Sequence, residues 1–221
     1  MSALVKICGL STPSAVDAAL DAGADMVGFV HFEASPRHVQ LDLAQMLFKR
    51  AGTRAARVLL TVDADDALIA DALALLRPDF LQLHGRETPL RTAALRAAFG
   101  VRIIKALPVE DAASLSVANA YAGAADMLLF DARPPKGAAL PGGNGQSFDW
   151  RLLQGFRAPA PWLLAGGLDA GNVAESLAVS GAPGVDVSSG VESAPGVKDE
   201  AKIAAFLRAA RGGVSRAGET G

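Results

Sequence analysis

Leu4-Val5-Lys6-Ile7-Cys8-Gly9-Leu10-Ser11 is a short apolar run that stops on a thiol and a glycine, and the next apolar residues recur with helical spacing. A strand that turns into a helix this way is one half of a parallel β/α unit. The turn decides between two architectures. An open doubly wound sheet that binds a dinucleotide carries G-x-G-x-x-G after its first strand, and Cys8-Gly9-Leu10-Ser11 has no such spacing.

The same alternation continues along the chain. Strands are expected at 4–7, 26–30, 57–62, 80–83, 102–106, 127–130, 162–165 and 184–187, each a continuous apolar run of the kind buried on both faces. Helical segments are expected at 14–22, 41–51, 64–76, 88–99, 111–121, 172–180 and 198–211, with only a turn or two at 150–155. Ser14, Asp63 and Glu110-Asp111 stand where helix starts are expected. Eight repeats of strand and helix predict an α/β fold, a single (β/α)8 barrel over residues 1–211, with a small polar tail at 212–221 that reads as frayed.

Composition limits the function. In 221 residues the hydrophobic share is 51% and the charged share 20%, which describes a packed globular chain. A net charge of −2 supplies no broad basic surface for nucleic acid or anionic membrane. One cysteine cannot close an internal disulfide, the first residues lack a signal-type pattern, and no stretch is long enough to span a bilayer. The chain reads as cytoplasmic and soluble, taking a small phosphorylated molecule and acting as a monomer or homodimer.

In such a barrel the residues just after each strand gather at one mouth. Those positions hold Cys8, Ser35-Pro36-Arg37, Asp63, His84, Lys105, Asp131, Gly166-Gly167 and Ser188-Ser189-Gly190. A thiol beside glycine is placed for chemistry, although free cysteine more often serves as a small buried hydrophobe. Asp131 opens a long Pro- and Gly-rich connection whose Gly142, Gly143 and Gly145 suit a lid over a ligand, the plain alternative being a helix cap and a loose insertion. Gly166, Gly167, Ser188, Ser189 and Gly190 occupy the two loops where these barrels often hold phosphate, although a glycine pair alone is also an ordinary tight turn. Arg37 offers a planar fork for a carboxylate. His84 orients substrate or satisfies a turn. Lys6 and Lys105 lie inside strands and are expected to face inward onto carboxylates such as Asp131 or Asp186, Lys105 as a structural ion pair and Lys6 in a supporting electrostatic role. His31 and His38 have no metal-type spacing, so no metal site is expected.

Taken in order, Lys6-Ile7-Cys8-Gly9, Gly28-Phe29-Val30 with Ser35-Pro36-Arg37, Gln82-Leu83-His84-Gly85, Phe130-Asp131, Gly142-Gly143-Asn144-Gly145, Ala165-Gly166-Gly167 and Gly184-Val185-Asp186-Val187-Ser188-Ser189-Gly190 closely resemble the phosphoribosylanthranilate isomerase family. The resemblance runs from Lys6 to about Phe206. It implies an Amadori rearrangement of N-(5′-phosphoribosyl)anthranilate in tryptophan biosynthesis, without metal or organic cofactor. By position, Cys8 resembles the general base, Asp131 the general acid, and Arg37 the group that takes the anthranilate carboxylate. His84 and Asp186 fall among the substrate contacts, and the Gly166-Gly167 and Ser188-Ser189-Gly190 loops resemble the phosphate site. Asp63 departs from the asparagine common at its place, and His31 interrupts a usually aromatic segment. Two other functions remain open from sequence: the related histidine-pathway isomerase, which carries aspartate where Cys8 stands, and a barrel that binds a phosphometabolite without turning it over.

An aspartate at its ordinary value is ionised at neutral pH and a cysteine protonated, each the wrong state for its task. Burial is expected to raise Asp131, and Lys6 or Arg37 to favour a Cys8 thiolate.

Overall fold

The computed structural model describes residues 3–133, 137, 142–143 and 145–212; most of the lid segment, including Asn144, and the tail from 213 onward lie outside them. Eight parallel strands close into a barrel in sequence order. They are β1 (Leu4–Cys8), β2 (Met26–Val30), β3 (Ala56–Thr61), β4 (Phe80–Leu83), β5 (Arg102–Val109), β6 (Met127–Ala132), β7 (Trp162–Leu164) and β8 (Gly184–Val187). β8 returns to β1, pairing Lys6 with Asp186 and Ile7 with Val187.

Outside the barrel run α1 (Pro13–Asp21), α2 (Leu41–Ala51), α3 (Asp66–Leu76), α4 (Pro89–Phe99), α5 (Ala112–Ser116), α6 (Val173–Ser180) and α7 (Glu200–Ala210). The long helix expected at 111–121 is α5 followed by a 3-10 segment, Val117–Tyr121, and the weak segment near 150 is a 3-10 turn, Trp150–Leu153. Two helix starts differ from expectation. Thr12, two residues before Ser14, accepts from Ala15 N–H, and Asp65, two residues after Asp63, accepts from Leu68 N–H. After β8 a short hairpin of β9 (Glu192–Ala194) and β10 (Val197–Lys198) precedes α7.

Period-two alternation divides the side chains of each strand. Val5, Ile7, Val27, Phe29, Leu81 and Leu128 join the helices in the outer layer of the core. Met26, Val58, Phe80, Ile104, Leu129 and Leu163 fill the barrel's interior. Above them Cys8, Val30 and Leu60 form a small cluster towards the strands' carboxyl ends. Continuing the alternation up β4, β6 and β8 turns His84, Asp131 and Asp186 inward.

The opposite end is stapled by a device the sequence reading did not find. Asp25, Asp79 and Asp126 each immediately precede β2, β4 and β6, and each accepts a hydrogen bond of 2.8 Å from a backbone N–H on the preceding strand: Val5, Arg57 and Ile103. A free amide at a strand's start is thereby satisfied three times.

Candidate active site

Cys8 ends β1 and Asp131 lies within the last turn of β6, three strands away around the ring through β7 and β8. Both line one open hollow of about 490 Å³ at the barrel's mouth. Its wall is apolar where Val30, Phe32, Leu60 and Val62 surround Cys8, and polar where Arg37, His84, Asp131 and Asp186 face inward. A second hollow of about 410 Å³ continues from it, lined by Gly145, Gly166, Gly167, Ser188 and Ser189. Asp131, Asp186, Ser188 and the lid glycines Gly142 and Gly143 border both.

Cys8 is buried at the cavity floor, 4% exposed. The Lys6 ammonium, two residues before it on the same face, donates to Asp186 at 2.7 Å across the β1–β8 seam. Burial opposes the charge on Lys6, but Asp186 and Cys8 beside it outweigh that and hold its pKa above the ordinary lysine value. Burial pushes the Cys8 thiol up, Lys6 and Lys198 pull it down and Asp186 pushes it up again, and the net shift is upward. The expected thiolate is therefore not the resting state, because desolvation exceeds the pull of the lysines. Gly28, opposite Cys8 in register, gives the pair its room: a Cβ there would lie 3.0 Å from the Cys8 sulfur and 3.2 Å from Lys6 Nζ.

Asp131 Oδ1 accepts from the Ala132 N–H at 2.8 Å, and Oδ2 lies 3.3 Å from His84 Nε2. Since β6 runs on to Ala132, Asp131 is a strand residue facing the cavity and not a helix cap. Gly142 sits against His84 and Asp131 so closely that a Cβ would come within 2.5 Å of His84 Nε2.

Arg37 enters the cavity from the loop after β2, but its fork is already engaged. Nε and Nη2 donate to the two carboxylate oxygens of Glu192 at 2.7 and 2.9 Å, and Nη2 also reaches the Gly143 carbonyl at 3.4 Å. Glu192 accepts in addition from Lys198 Nζ at 2.7 Å, and that ammonium donates to the Ser188 carbonyl at 2.8 Å. Burial opposes ionisation of Glu192, yet Arg37 and Lys198 hold it below the usual carboxylate range. Arg37, Glu192 and Lys198 together leave one positive charge between the apolar lobe and the Ser188 loop.

In the polar hollow Gly166 and Gly167 have φ of +91° and +62°, which bring their backbone against Ala132 and Gln146. Gly190, outside the lining of both hollows, packs so closely that a Cβ on it would overlap the Leu168 carbonyl. Backbone therefore lines this hollow closely, with the Ser188 and Ser189 hydroxyls at its edge.

Other expected residues lie elsewhere. Lys105 occupies the outward face of β5 with Ile103 and Leu107, and its partner is Glu87 at 2.7 Å, not Asp131 or Asp186. Its Nζ also bonds the Gly85 carbonyl and so pins the loop that carries His84. Asp63, with φ +47°, accepts from the Arg86 N–H and ties two loops together outside the cavity. His31 and His38 stack on each other at 5.0 Å, away from the cavity. Glu192 and Lys198 belong to the run after Ser188 that shares in the resemblance, but nothing local marks their pairing with Arg37 or that of Glu87 with Lys105. Among the described residues no three His, Cys, Asp or Glu side chains gather to hold a metal ion, and no helix is long and apolar enough to cross a membrane.

The family model described as N-(5′-phosphoribosyl)anthranilate (PRA) isomerase matches residues 5–209. An N-(5′-phosphoribosyl)anthranilate isomerase of Rhodopseudomonas palustris (strain BisB5) is 58% identical over 211 residues, covering 96% of this chain and 97% of that one. A crystal structure of a phosphoribosyl anthranilate isomerase in complex with reduced 1-(o-carboxyphenylamino)-1-deoxyribulose 5-phosphate superposes with a TM-score of 0.82 at 29% identity, covering 95% of this chain and 99% of that one. A monomeric form of the dimeric enzyme from Thermotoga maritima gives 0.81 at 29% identity and the same coverage.

Proposed function

This chain belongs to the N-(5′-phosphoribosyl)anthranilate isomerase family, and from that premise we propose which of its side chains carry the rearrangement. The reaction is the isomerisation of N-(5′-phosphoribosyl)anthranilate to 1-(o-carboxyphenylamino)-1-deoxyribulose 5-phosphate in tryptophan biosynthesis. The two-lobed cavity supports the assignment best. Its apolar lobe suits an aromatic ring, its glycine- and serine-lined lobe suits a phosphate, and a ribose spanning the two meets Asp131 and Asp186 where the lobes join.

Asp131 is the general acid. It gives a proton to the furanose ring oxygen as the C1′–O bond breaks and the anilino nitrogen forms a Schiff base. Cys8, on the other side of the cavity, is the general base that removes the C2′ proton to give the enolamine, which tautomerises to the ketone. Lys6 supports the thiolate when it forms, while Asp186 keeps that ammonium charged and in place. Arg37, gripped from behind by Glu192, turns its remaining edge to the anthranilate carboxylate. The Gly166-Gly167 and Ser188-Ser189-Gly190 loops take the phosphate through backbone N–H groups and hydroxyls. Gly142 and Gly143 lie over the acid, His84 and Arg37 as the inner edge of a lid, and Gly145 borders the polar hollow.

The barrel domain over 1–211 is the functional unit in this reading, acting in the cytoplasm. All residues assigned come from one chain, so the site is complete in a monomer and compatible with a homodimer. The test is the fluorescence of the anthranilate group in N-(5′-phosphoribosyl)anthranilate. Intact protein should make it decay in step with product formation, and binding without decay would leave a phosphometabolite-binding barrel.

A further inference from the structure

Gln82 is a polar side chain in an apolar layer. It is fully buried on the inward face of β4, between Phe80 below and His84 above, with Leu60 and Ile104 beside it in register. Leu or Met would fill this volume without the cost of burying an amide. Among the described residues its one side-chain hydrogen bond joins Nε2 to His84 Nδ1 at 3.0 Å, and its Oε1 has no partner. His84 Nε2 in turn lies 3.3 Å from Asp131 Oδ2, so three side chains form a line from the barrel's interior to the acid.

A neutral imidazole carries one N–H, so the partner at one nitrogen dictates the state of the other. With Gln82 donating to Nδ1, the His84 proton sits on Nε2 and is donated to an ionised Asp131. Half a turn of the amide about its terminal torsion, which has a broad profile, presents Oε1 to an Nδ1–H instead. His84 Nε2 is then paired with Asp131 across one shared proton, and this state holds one proton more than the first. Either way the amide makes one hydrogen bond and leaves one atom bare, so the two orientations are closely matched.

We propose that Gln82 is a positioning residue for the acid step, its reversible amide allowing His84 to share with Asp131 the proton destined for the ring oxygen. The proposal rests on the reading of Asp131 as the acid. In the loaded state Gln82 accepts from Nδ1–H. As the C1′–O bond breaks, its electron pair goes to the ring oxygen, which takes the shared proton, and the anilino nitrogen's lone pair forms the C=N bond. The site is left with Asp131 ionised and His84 neutral, its remaining proton on Nδ1 and still accepted by Gln82. Solvent restores the proton after product leaves. Among the described residues the charged and titratable groups around His84 are Asp131, Cys8, Arg37 and Asp186 across the cavity, Lys105 beneath its loop, and Asp63 and Glu87 on the flanking turns.

The chain has three histidines, so imidazole ¹⁵N NMR of the wild-type protein resolves them, with His84→Asn assigning the signal. The His84 Nδ1 should be protonated where turnover is highest and lose its proton in step with the alkaline fall in kcat. An Nδ1 whose protonation does not change across that limb overturns the proposal, whatever any variant does. Gln82→Met should lower kcat by about tenfold with KM held within about twofold, and move the alkaline limb to lower pH, because the loaded state loses its acceptor. Unchanged kcat and an unmoved limb in folded Gln82→Met also overturn it. Asp131→Asn that keeps turnover refutes the acid assignment itself; an inactive Asp131→Asn beside an unresponsive His84 refutes the relay alone.

Discussion

Arg37 and Glu192 stand 155 positions apart and meet in two parallel hydrogen bonds of 2.7 and 2.9 Å. The pairing fixes the guanidinium before any ligand arrives, so less side-chain freedom is lost on binding. It also brings the loop after β2 onto the segment that follows β8, where Lys198 continues the chain of charges to Ser188.

Arg37→Ala should lower kcat/KM by roughly ten- to a hundredfold, the scale of one charge-assisted hydrogen bond of about 1.5–3 kcal/mol. The same substitution should cost little with N-(5′-phosphoribosyl)aniline, which lacks the carboxylate. Equal losses with both substrates would mean that Arg37 serves the fold and not the carboxylate.

Cys8→Ser and Asp131→Asn should each lower kcat by at least about a hundredfold while the folded barrel and phosphate binding persist. Steady-state kinetics beside inorganic-phosphate titrations check this. Near-normal turnover in either variant removes that residue from its role.

The upward shift of the Cys8 thiol predicts how the free protein reacts with an alkylating agent. With one cysteine in the chain, iodoacetamide labelling reports this group alone. Its rate should stay low at neutral pH and climb only above the ordinary thiol range. A rate that reaches its plateau below that range would show a thiolate held by Lys6.

Gly28→Ala places a methyl group 3.0 Å from the Cys8 sulfur and 3.2 Å from Lys6 Nζ, at a backbone conformation that alanine accepts. Overpacking of this kind costs about 1–3 kcal/mol. Thermal melting should show a lowered but cooperative transition, with kcat reduced more than KM is raised. A variant with wild-type kcat would mean that the pair tolerates displacement.

Acid should weaken the stapled end of the barrel. Burial opposes ionisation of Asp79 and Asp126, but hydrogen bonds from Arg57, and from Arg96 and the Ile103 N–H, outweigh it and hold both carboxyl groups below the usual range. A depressed folded value contributes stability that is present above the unfolded value of about 3.9 and is lost as pH falls through the folded one. Denaturant melts from pH 6 downward should show this loss, and Asp126→Asn should flatten part of the slope. An unchanged slope in that variant would assign the acid sensitivity elsewhere.

The barrel was legible because strands buried on both faces read as plain apolar runs, and eight of them leave little choice of architecture. Cys8, Asp131 and the glycine and serine loops were legible because each directly follows or ends such a run. β5 reaches Val109 although Pro108 reads as a break, since proline's missing donor is tolerated near the strand's end. The structural ion pair expected of Lys105 is present, but on the outward face and with Glu87, because a strand lysine shows its burial but not its face. Gln82 stands in the Gln82-Leu83-His84-Gly85 run and Glu192 and Lys198 follow the Ser188 loop, but the contacts of Glu192 with Arg37 and of His84 with Asp131 join segments that only the closed ring brings near. The same holds for Asp25, Asp79 and Asp126, which as sequence are ordinary turn residues.

The ion pair between Lys6 and Asp186 crosses the seam where the first strand meets the last. On the ribosome the amino-terminal strand therefore emerges with its ammonium uncompensated, and waits for about four-fifths of the chain to be synthesised before its counter-charge exists. Ser188, Ser189 and Gly190 follow Asp186 directly, so a product that stops before the seam can close also lacks that side of the hollow read as gripping phosphate. Closing the ring and completing that loop draw on one stretch of chain.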